Sequence, residues 1–357
     1  MRAPTTLIVL LSLIASTHAD VAVEQSLVVS GQGYFPVALR LKDGRIGVVL
    51  RGGAPHLGIG GRLDVVFSSD DGKTWTKPAV VVDSPLDDRN PAFGQAADGT
   101  LVVGFWRTAR YDEQGKYNEK LDKPVTTWVT RSTDGGKTWS EAAPIDVSDV
   151  GWGSPYGRIL TLGDGTMLMN VYGGRVRKPG EKVAADNENS YIYRSSDNGM
   201  SWQRFSTPGP ERFNETALLM LPDNRLVAAM RAAGSAADVW LTSSADMGRT
   251  WTEPAKVTPP KVHPADLTLL PDGRILLTSG HRPGPFGVRG LVIEKDLKAD
   301  WGKHFVLSND ATNTDSGYPS TLLTRDGRAI TLYYAIGSKS HKDWGTHCAA
   351  LTYAIPK

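Results

Sequence analysis

Ser68–Trp75 reads SSDDGKTW, and the same S-x-D-x-G-x-x-W pattern returns as STDGGKTW at Ser132–Trp139 and SSDNGMSW at Ser195–Trp202. A looser copy, SSADMGRTW, covers Ser243–Trp251, and Trp301 ends a fifth, eroded copy. Ser and Asp can tie such a turn to its own backbone, Gly permits the tight bend, and Trp offers a large apolar face to pack between neighbouring units. These aspartates and tryptophans read as structural.

Around the boxes runs a second periodic signal, a turn followed by an apolar strand. It reads LKDGRIGVVLR at Leu41–Arg51, AADGTLVVGFW at Ala96–Trp106 and LGDGTMLMNVY at Leu162–Tyr172. It continues as LPDNRLVAAMR at Leu221–Arg231, LPDGRILLTSG at Leu270–Gly280 and TRDGRAITLYY at Thr324–Tyr334. Asp-Gly or Asp-Asn between apolar runs is a hairpin signal, because these residues tolerate positive φ. The six turns begin at Asp43, Asp98, Asp164, Asp223, Asp272 and Asp326, about 50–65 residues apart, room for four antiparallel strands each. With no linker between units, the expected fold is all-β: one six-bladed β-propeller of four-stranded antiparallel blades over residues 20–357, closed so that only short edges are exposed.

Composition narrows the function classes. The 357 residues carry a net charge of +2, so no strong field argues for nucleic acid or a membrane surface. Cys348 is the single cysteine, which excludes an intramolecular disulfide and a Cys-based zinc site. It lies in an apolar run and reads as a buried small hydrophobe. Residues 1–19 have the pattern of an export signal: Arg2, the apolar run Leu7–Ile14, and Thr17-His18-Ala19 before the cut. That run is too short to span a bilayer, and no cysteine follows it to carry a lipid. The expected mature chain begins near Asp20 and is periplasmic or extracellular, with no membrane anchor.

In each repeat the strand before the turn is the innermost, and the next strand returns antiparallel. Residues eight or nine before the turn and eight after it therefore share one end of the hairpin. Before the turns stand Tyr34-Phe35, Arg89-Asn90, Pro155-Tyr156, Asn214-Glu215, His263-Pro264 and Gly317-Tyr318. After them stand Arg51, Trp106, Tyr172, Arg231, Gly280-His281-Arg282 and Tyr334. The strand middles are Val, Leu, Ile and Ala. A rim this rich in Arg, Tyr and His is suited to an anion and to an aromatic nucleophile or stacking surface. The charged loop Arg107–Lys123, with Tyr111 and Tyr117, reads equally as a rim lid or as a solvated loop.

The box is similar to the Asp-box (BNR repeat) of sialidase-type propellers, and the chain resembles the retaining exo-sialidases of glycoside hydrolase family 33 in its whole repeat plan. In that family a glutamate on the fourth blade precedes a carboxylate-binding arginine by about fifteen residues, and NETALLMLPDNRLVAAMR offers Glu215 and Arg231. The family's nucleophilic tyrosine opens the last blade, where SGYPST at Ser316–Thr321 offers Tyr318. A further clamp arginine would be Arg289 by spacing or Arg282 by its place on the rim. The resemblance implies a tyrosine nucleophile, because a carboxylate nucleophile would be repelled by the substrate's own carboxylate. Glu215 would accept its proton, and arginine forks would bind the sugar acid.

Two positions depart from the family. Tyr34, in GYFPV, stands where the family has its first clamp arginine, so Arg51 or Arg89 would have to replace that arm. The loop Arg51–Asp64 has no acidic residue before Asp64 where the family carries its acid/base aspartate. His56 is the proton-transfer candidate there, with Asp88 in reserve. Asn90, Trp106, Tyr172, His263 and Tyr334 complete the expected binding surface. The expected activity is release of a terminal acidic sugar, sialic acid or a related ulosonic acid, from a glycan, without a cofactor. Two alternatives remain open: a lyase or other glycosidase using His56 and His263, and a carbohydrate-binding propeller without catalysis. Phosphate-binding glycine loops, His-x-x-x-His metal spacing and the Gly-x-Ser-x-Gly elbow do not occur.

Overall fold

The computed structural model describes residues 21–174 and 188–356; the expected export signal, residues 1–19, lies outside the described residues. The chain opens with β1 (Val23–Ser30). One sheet follows from β2 (Tyr34–Arg40), β3 (Ile46–Gly52), β4 (Arg62–Ser68) and β5 (Ala79–Val82). Next come β6 (Asp87–Gln95), β7 (Leu101–Thr108), β8 (Val125–Ser132) and β9 (Ala143–Ile145). Then come β10 (Ser154–Thr161), β11 (Met167–Gly173), β12 (Asn189–Ser195) and β13 (Gln203–Ser206). These eight strands form one sheet, two antiparallel halves joined by a parallel pairing of β6 with β10.

A further sheet holds β14 (Phe213–Met220), β15 (Leu226–Ala232), β16 (Val239–Ser244) and β17 (Ala255–Lys256). Another holds β18 (Val262–Leu269), β19 (Ile275–His281), β20 (Gly287–Ile293) and β21 (Phe305–Ser308). The last has β22 (Ser316–Leu323), β23 (Ala329–Ile336) and β24 (Thr346–Tyr353), with β1 returning as its outermost strand. The arrangement is all-β and propeller-like. Strands β2, β6, β10, β14, β18 and β22 touch in succession, and β22 touches β2 again, so the inner strands close a ring.

The apolar strand middles pack sheet against sheet, leaving side chains such as Val48, Phe93, Leu226 and Leu277 buried. Cys348 is buried among them. In each box the Ser and Asp side chains bind the turn's own backbone. Ser68 Oγ accepts from the Gly72 amide (2.8 Å) and donates to Asp70 (2.8 Å), while Asp70 also accepts from the Thr74 amide and hydroxyl (2.9 and 2.6 Å). The looser fourth copy is regular when read from Ser244. Ser244 and Asp246 repeat those bonds with Gly248 and Thr250.

The inner strands share one irregularity. Pairing slips between Tyr34 and Val37, Arg89 and Ala92, Tyr156 and Leu160, Phe213 and Thr216, Val262 and Ala265, and Gly317 and Ser320. All six bulges lie at the same end of their strands, where they re-aim side chains and increase local twist.

Candidate active site

Beyond the bulges the hairpin ends pair Tyr34 with Arg51, Arg89 with Trp106 and Gly317 with Tyr334. At three bulges a non-glycine residue takes positive φ: Phe35 (53°), Asn90 (41°) and Tyr318 (51°). All three line the same cavity. Bulky side chains occupy that region only where surrounding structure holds them there. For Tyr318 the support is a close backbone crossing. Gly317 takes a φ of 104°, and a Cβ on it would meet the Gly280 Cα at 2.9 Å, so neither position has room for a side chain.

The cavity measures about 710 Å³ and is open on one side. At its floor the Tyr318 hydroxyl donates to Glu215 Oε1 at 2.5 Å, and Arg231 donates to Glu215 Oε2 at 2.5 Å. The three residues come from β22, β14 and β15, and all line the cavity. Burial, then the Glu215 charge, pushes the Tyr318 phenol well above its ordinary range, with Arg231 and Arg282 opposing. In the resting protein the phenol therefore keeps its proton.

His56 lies on the loop after β3 and also lines the cavity. Its Nδ1 sits 2.9 Å from both oxygens of Asp315, which accepts a further bond from the Tyr334 hydroxyl at 2.6 Å. Burial pushes the Asp315 carboxyl up, but the His56 and Tyr334 bonds outweigh it and hold the group below its ordinary value. Phe35 packs its ring 5.0 Å from His56 and 4.8 Å from Tyr318, between the two. Sequence reading missed Asp315, and Tyr334 contributes through it: fully buried, it orients Asp315 instead of meeting a ligand.

Beside them, Asp87 binds two arginines. Arg51 reaches its Oδ1 at 2.6 Å, Arg89 reaches its Oδ2 at 2.9 Å, and the Tyr111 hydroxyl donates to the same carboxylate. Arg89 also donates to the His56 carbonyl at 2.6 Å and lies over the Trp106 ring, 5.3 Å from its centroid. Arg89, Asn90, Trp106 and Tyr172 line the cavity, and Asn90 donates to the Tyr172 hydroxyl. Tyr117 and neighbouring residues of the Arg107–Lys123 loop form part of its wall, anchored by Tyr111.

Several expected site residues do other work. Arg51 is fully buried and spends its donors on Asp87 and on the carbonyls of Ala54, Pro55 and Gly58, so it braces the His56 loop and meets no ligand. Asp88 is buried against Arg107 Nε (2.6 Å) and the Ser84 amide (2.7 Å), outside the cavity lining, which removes it as reserve acid. Tyr34 packs on the His56 and Tyr334 rings behind the cavity wall. Arg289 is buried in its own sheet, bonded to the Ser308 carbonyl and Asn309, and burial lowers it to about 10. Arg282 lies over the Tyr318 ring instead, 5.7 Å from its centroid, although it does not reach the cavity lining. His263 is also absent from the lining. Burial, then Arg231 and Arg282, drives it down to about 2, which leaves it uncharged and unsuited to proton transfer near neutrality. Among the described residues, no cluster of three or more His, Cys, Asp or Glu is placed to hold a metal ion. No helix among them is long and apolar enough to cross a membrane.

A family model described as a BNR repeat-like domain matches residues 51–333. Among solved structures, a protein of unknown function from Dyadobacter fermentans DSM 18053 is 25% identical. It superposes with a TM-score of 0.77 over 94% of this chain and 99% of its own. The Hadza microbial sialidase Hz136 is 18% identical, with a TM-score of 0.66 over 91% of this chain and 66% of that one. A Trypanosoma rangeli sialidase, seen as a covalent intermediate with 2,3-difluorosialic acid, is 13% identical, with a TM-score of 0.61 over 91% and 54%. The chain thus spans less of those two sialidases than they span of it, and the likeness to them is one of fold. No curated protein matches this sequence.

Proposed function

Because the chain belongs to the BNR repeat-like domain family, we propose that it is a retaining exo-glycosidase, sialidase-like in mechanism, that releases a terminal acidic sugar from a glycan. We read its fold as six blades, counting the eight-stranded sheet as two. One observation carries the functional reading: a buried phenol, a carboxylate and a guanidinium in direct contact at the floor of a sugar-sized cavity.

In the first step Tyr318 Oη attacks the anomeric carbon while Glu215 takes the phenolic proton. Breaking the glycosidic bond leaves an alkoxide, and His56 supplies its proton, its ring held by Asp315 through Nδ1 so that Nε2 is the free nitrogen. In the second step His56 takes a proton from water, which displaces the tyrosine, and Glu215 returns the phenolic proton. Arg231 aligns Glu215 through a charge-assisted contact that pins its rotamer.

Tyr318→Phe should abolish turnover and leave the thermal melt unchanged; full activity in that variant would remove the nucleophile. His56→Ala should slow substrates with poor leaving groups by about 10²–10⁴-fold and spare activated aryl glycosides. The decisive screen pits the purified protein against aryl glycosides of sialic, other ulosonic and uronic acids. A non-catalytic binder would hold these sugars without turnover, and a lyase would generate product absorbance near ~235 nm from an unsaturated uronide.

A further inference from the structure

Charge on the cavity wall is unevenly balanced. At the floor, Arg231 and Glu215 cancel. At the β6–β7 wall, Arg89 and Arg51, the latter reaching over from β3, share the single carboxylate of Asp87, while the neighbouring Asp88 is taken up by Arg107. Tyr111 adds only a neutral donor. The buried cluster therefore holds one positive charge in excess, and of its members only Arg89 lines the cavity. Lys120 and Glu119 also face this side from the exposed loop and offset one another. An uncompensated buried charge is costly unless something ionic meets it.

The same wall carries polar atoms with no protein partner. Arg89 Nε, Trp106 Nε1 and Asn90 Oδ1 are all buried and unbonded, on residues no more than 9% exposed. Arg89 and Trp106 are paired across adjacent strands and Asn90 follows Arg89 in the bulge, so two donors and one acceptor sit side by side and match an oxyanion flanked by a hydroxyl. The wall is set off from the nucleophile. Arg89 holds the His56 carbonyl, the His56 ring meets Phe35, and Phe35 meets Tyr318.

We infer that Arg89, Trp106 and Asn90 form an anion-binding subsite for a carboxylate or sulfate ester borne on a sugar carbon other than the anomeric one. This rests on the cavity being the substrate site. It places the negative charge of the substrate at the second inner strand, away from the floor, where Tyr34 supplies no charge and Arg231 is already neutralised.

Binding tests it without requiring turnover. Calorimetric titration would compare glucuronate, galacturonate and glucose 6-sulfate with their neutral parents glucose and galactose, in wild-type protein and in Tyr318→Phe. At least one of the acids should bind tenfold or more tighter than its parent, with the uronates and the sulfate separating the two sources of charge. Arg89→Met should erase that preference, while Arg231→Met should keep it. Trp106→Phe, which removes one donor and retains the ring, should weaken the acid severalfold even if Arg89→Met does not fold. Equal binding of acids and neutral parents, or a preference that survives Arg89→Met or vanishes in Arg231→Met, would overturn the subsite. If every aryl glycoside stays intact while this preference holds, the glycosidase reading fails and the subsite stands.

Discussion

Glu215 has a donor on each oxygen, Tyr318 on one side and Arg231 on the other, and it is 2% exposed. With both oxygens held, its rotamer is fixed and Oε1 faces the phenol. His56 is held in a comparable way, because Asp315 takes one ring nitrogen at 2.9 Å. Asp315→Asn weakens that hold, so kcat should fall severalfold more on substrates with poor leaving groups than on activated aryl glycosides, with little change in KM. A role limited to packing would lower both rates alike. His263 makes a separate prediction, about stability. Its folded value near 2 lies below its ordinary 6.5, so below pH 6.5 the unfolded chain binds a proton that the folded chain refuses. Stability should fall by about 1.4 kcal/mol for each pH unit below that point, and urea unfolding of His263→Gln between pH 7 and 5 should show a shallower decline. Glu215, Arg231 and Tyr318 could be placed on one rim because each stands at a fixed distance from a turn. Asp315 could not, since its partner His56 is distant in sequence and only the ring brings them together. Arg51 and Arg89 look alike along the chain, and what separates them is which one Asp87 leaves facing the cavity.

At the level of strands and turns, the inner-strand bulge matters most. It was not legible, because the residues carrying it differ at each repeat: Phe35, Asn90, Gly157 and Tyr318 take positive φ there, whereas β14 and β18 slip without it at those sites. The turns were legible, because Asp-Gly and the box have a fixed chemistry. Gly280 tests the bulge. A Cβ there would lie 2.6 Å from the His263 carbonyl oxygen and 3.4 Å from the Gly317 Cα. Gly280→Ala should displace Tyr318 and lower kcat by about a hundredfold, the order expected of a small misplacement, with the far-ultraviolet spectrum retained. The box makes an acid-stability prediction. Hydrogen bonds from Thr74 hold Asp70 down to about 2, against an ordinary 3.8. Its stabilisation is complete above the unfolded value and is lost as pH falls from about 4 towards 2. Asp70→Asn should flatten thermal stability across that window alone.

On the scale of the whole molecule, no single sheet owns the site. Tyr318, Glu215, His56 and Arg89 come from four of them or from their loops. Repeat counting anticipated that convergence, since equivalent hairpin ends must meet around a common axis. It did not anticipate that β1 would complete the last sheet, Val23 beside Tyr353. Removal of residues 21–30 should strip the outer edge from β24, lower the melting temperature and promote aggregation through the bared strand, measurable by light scattering on heating. The same seam sets an order of events during synthesis. β1 leaves the ribosome before the rest of the ring and must wait, unpaired, until β24 has emerged. Until then the circle stays unclasped, and a protein that holds the nascent chain would have to guard that waiting segment above all others.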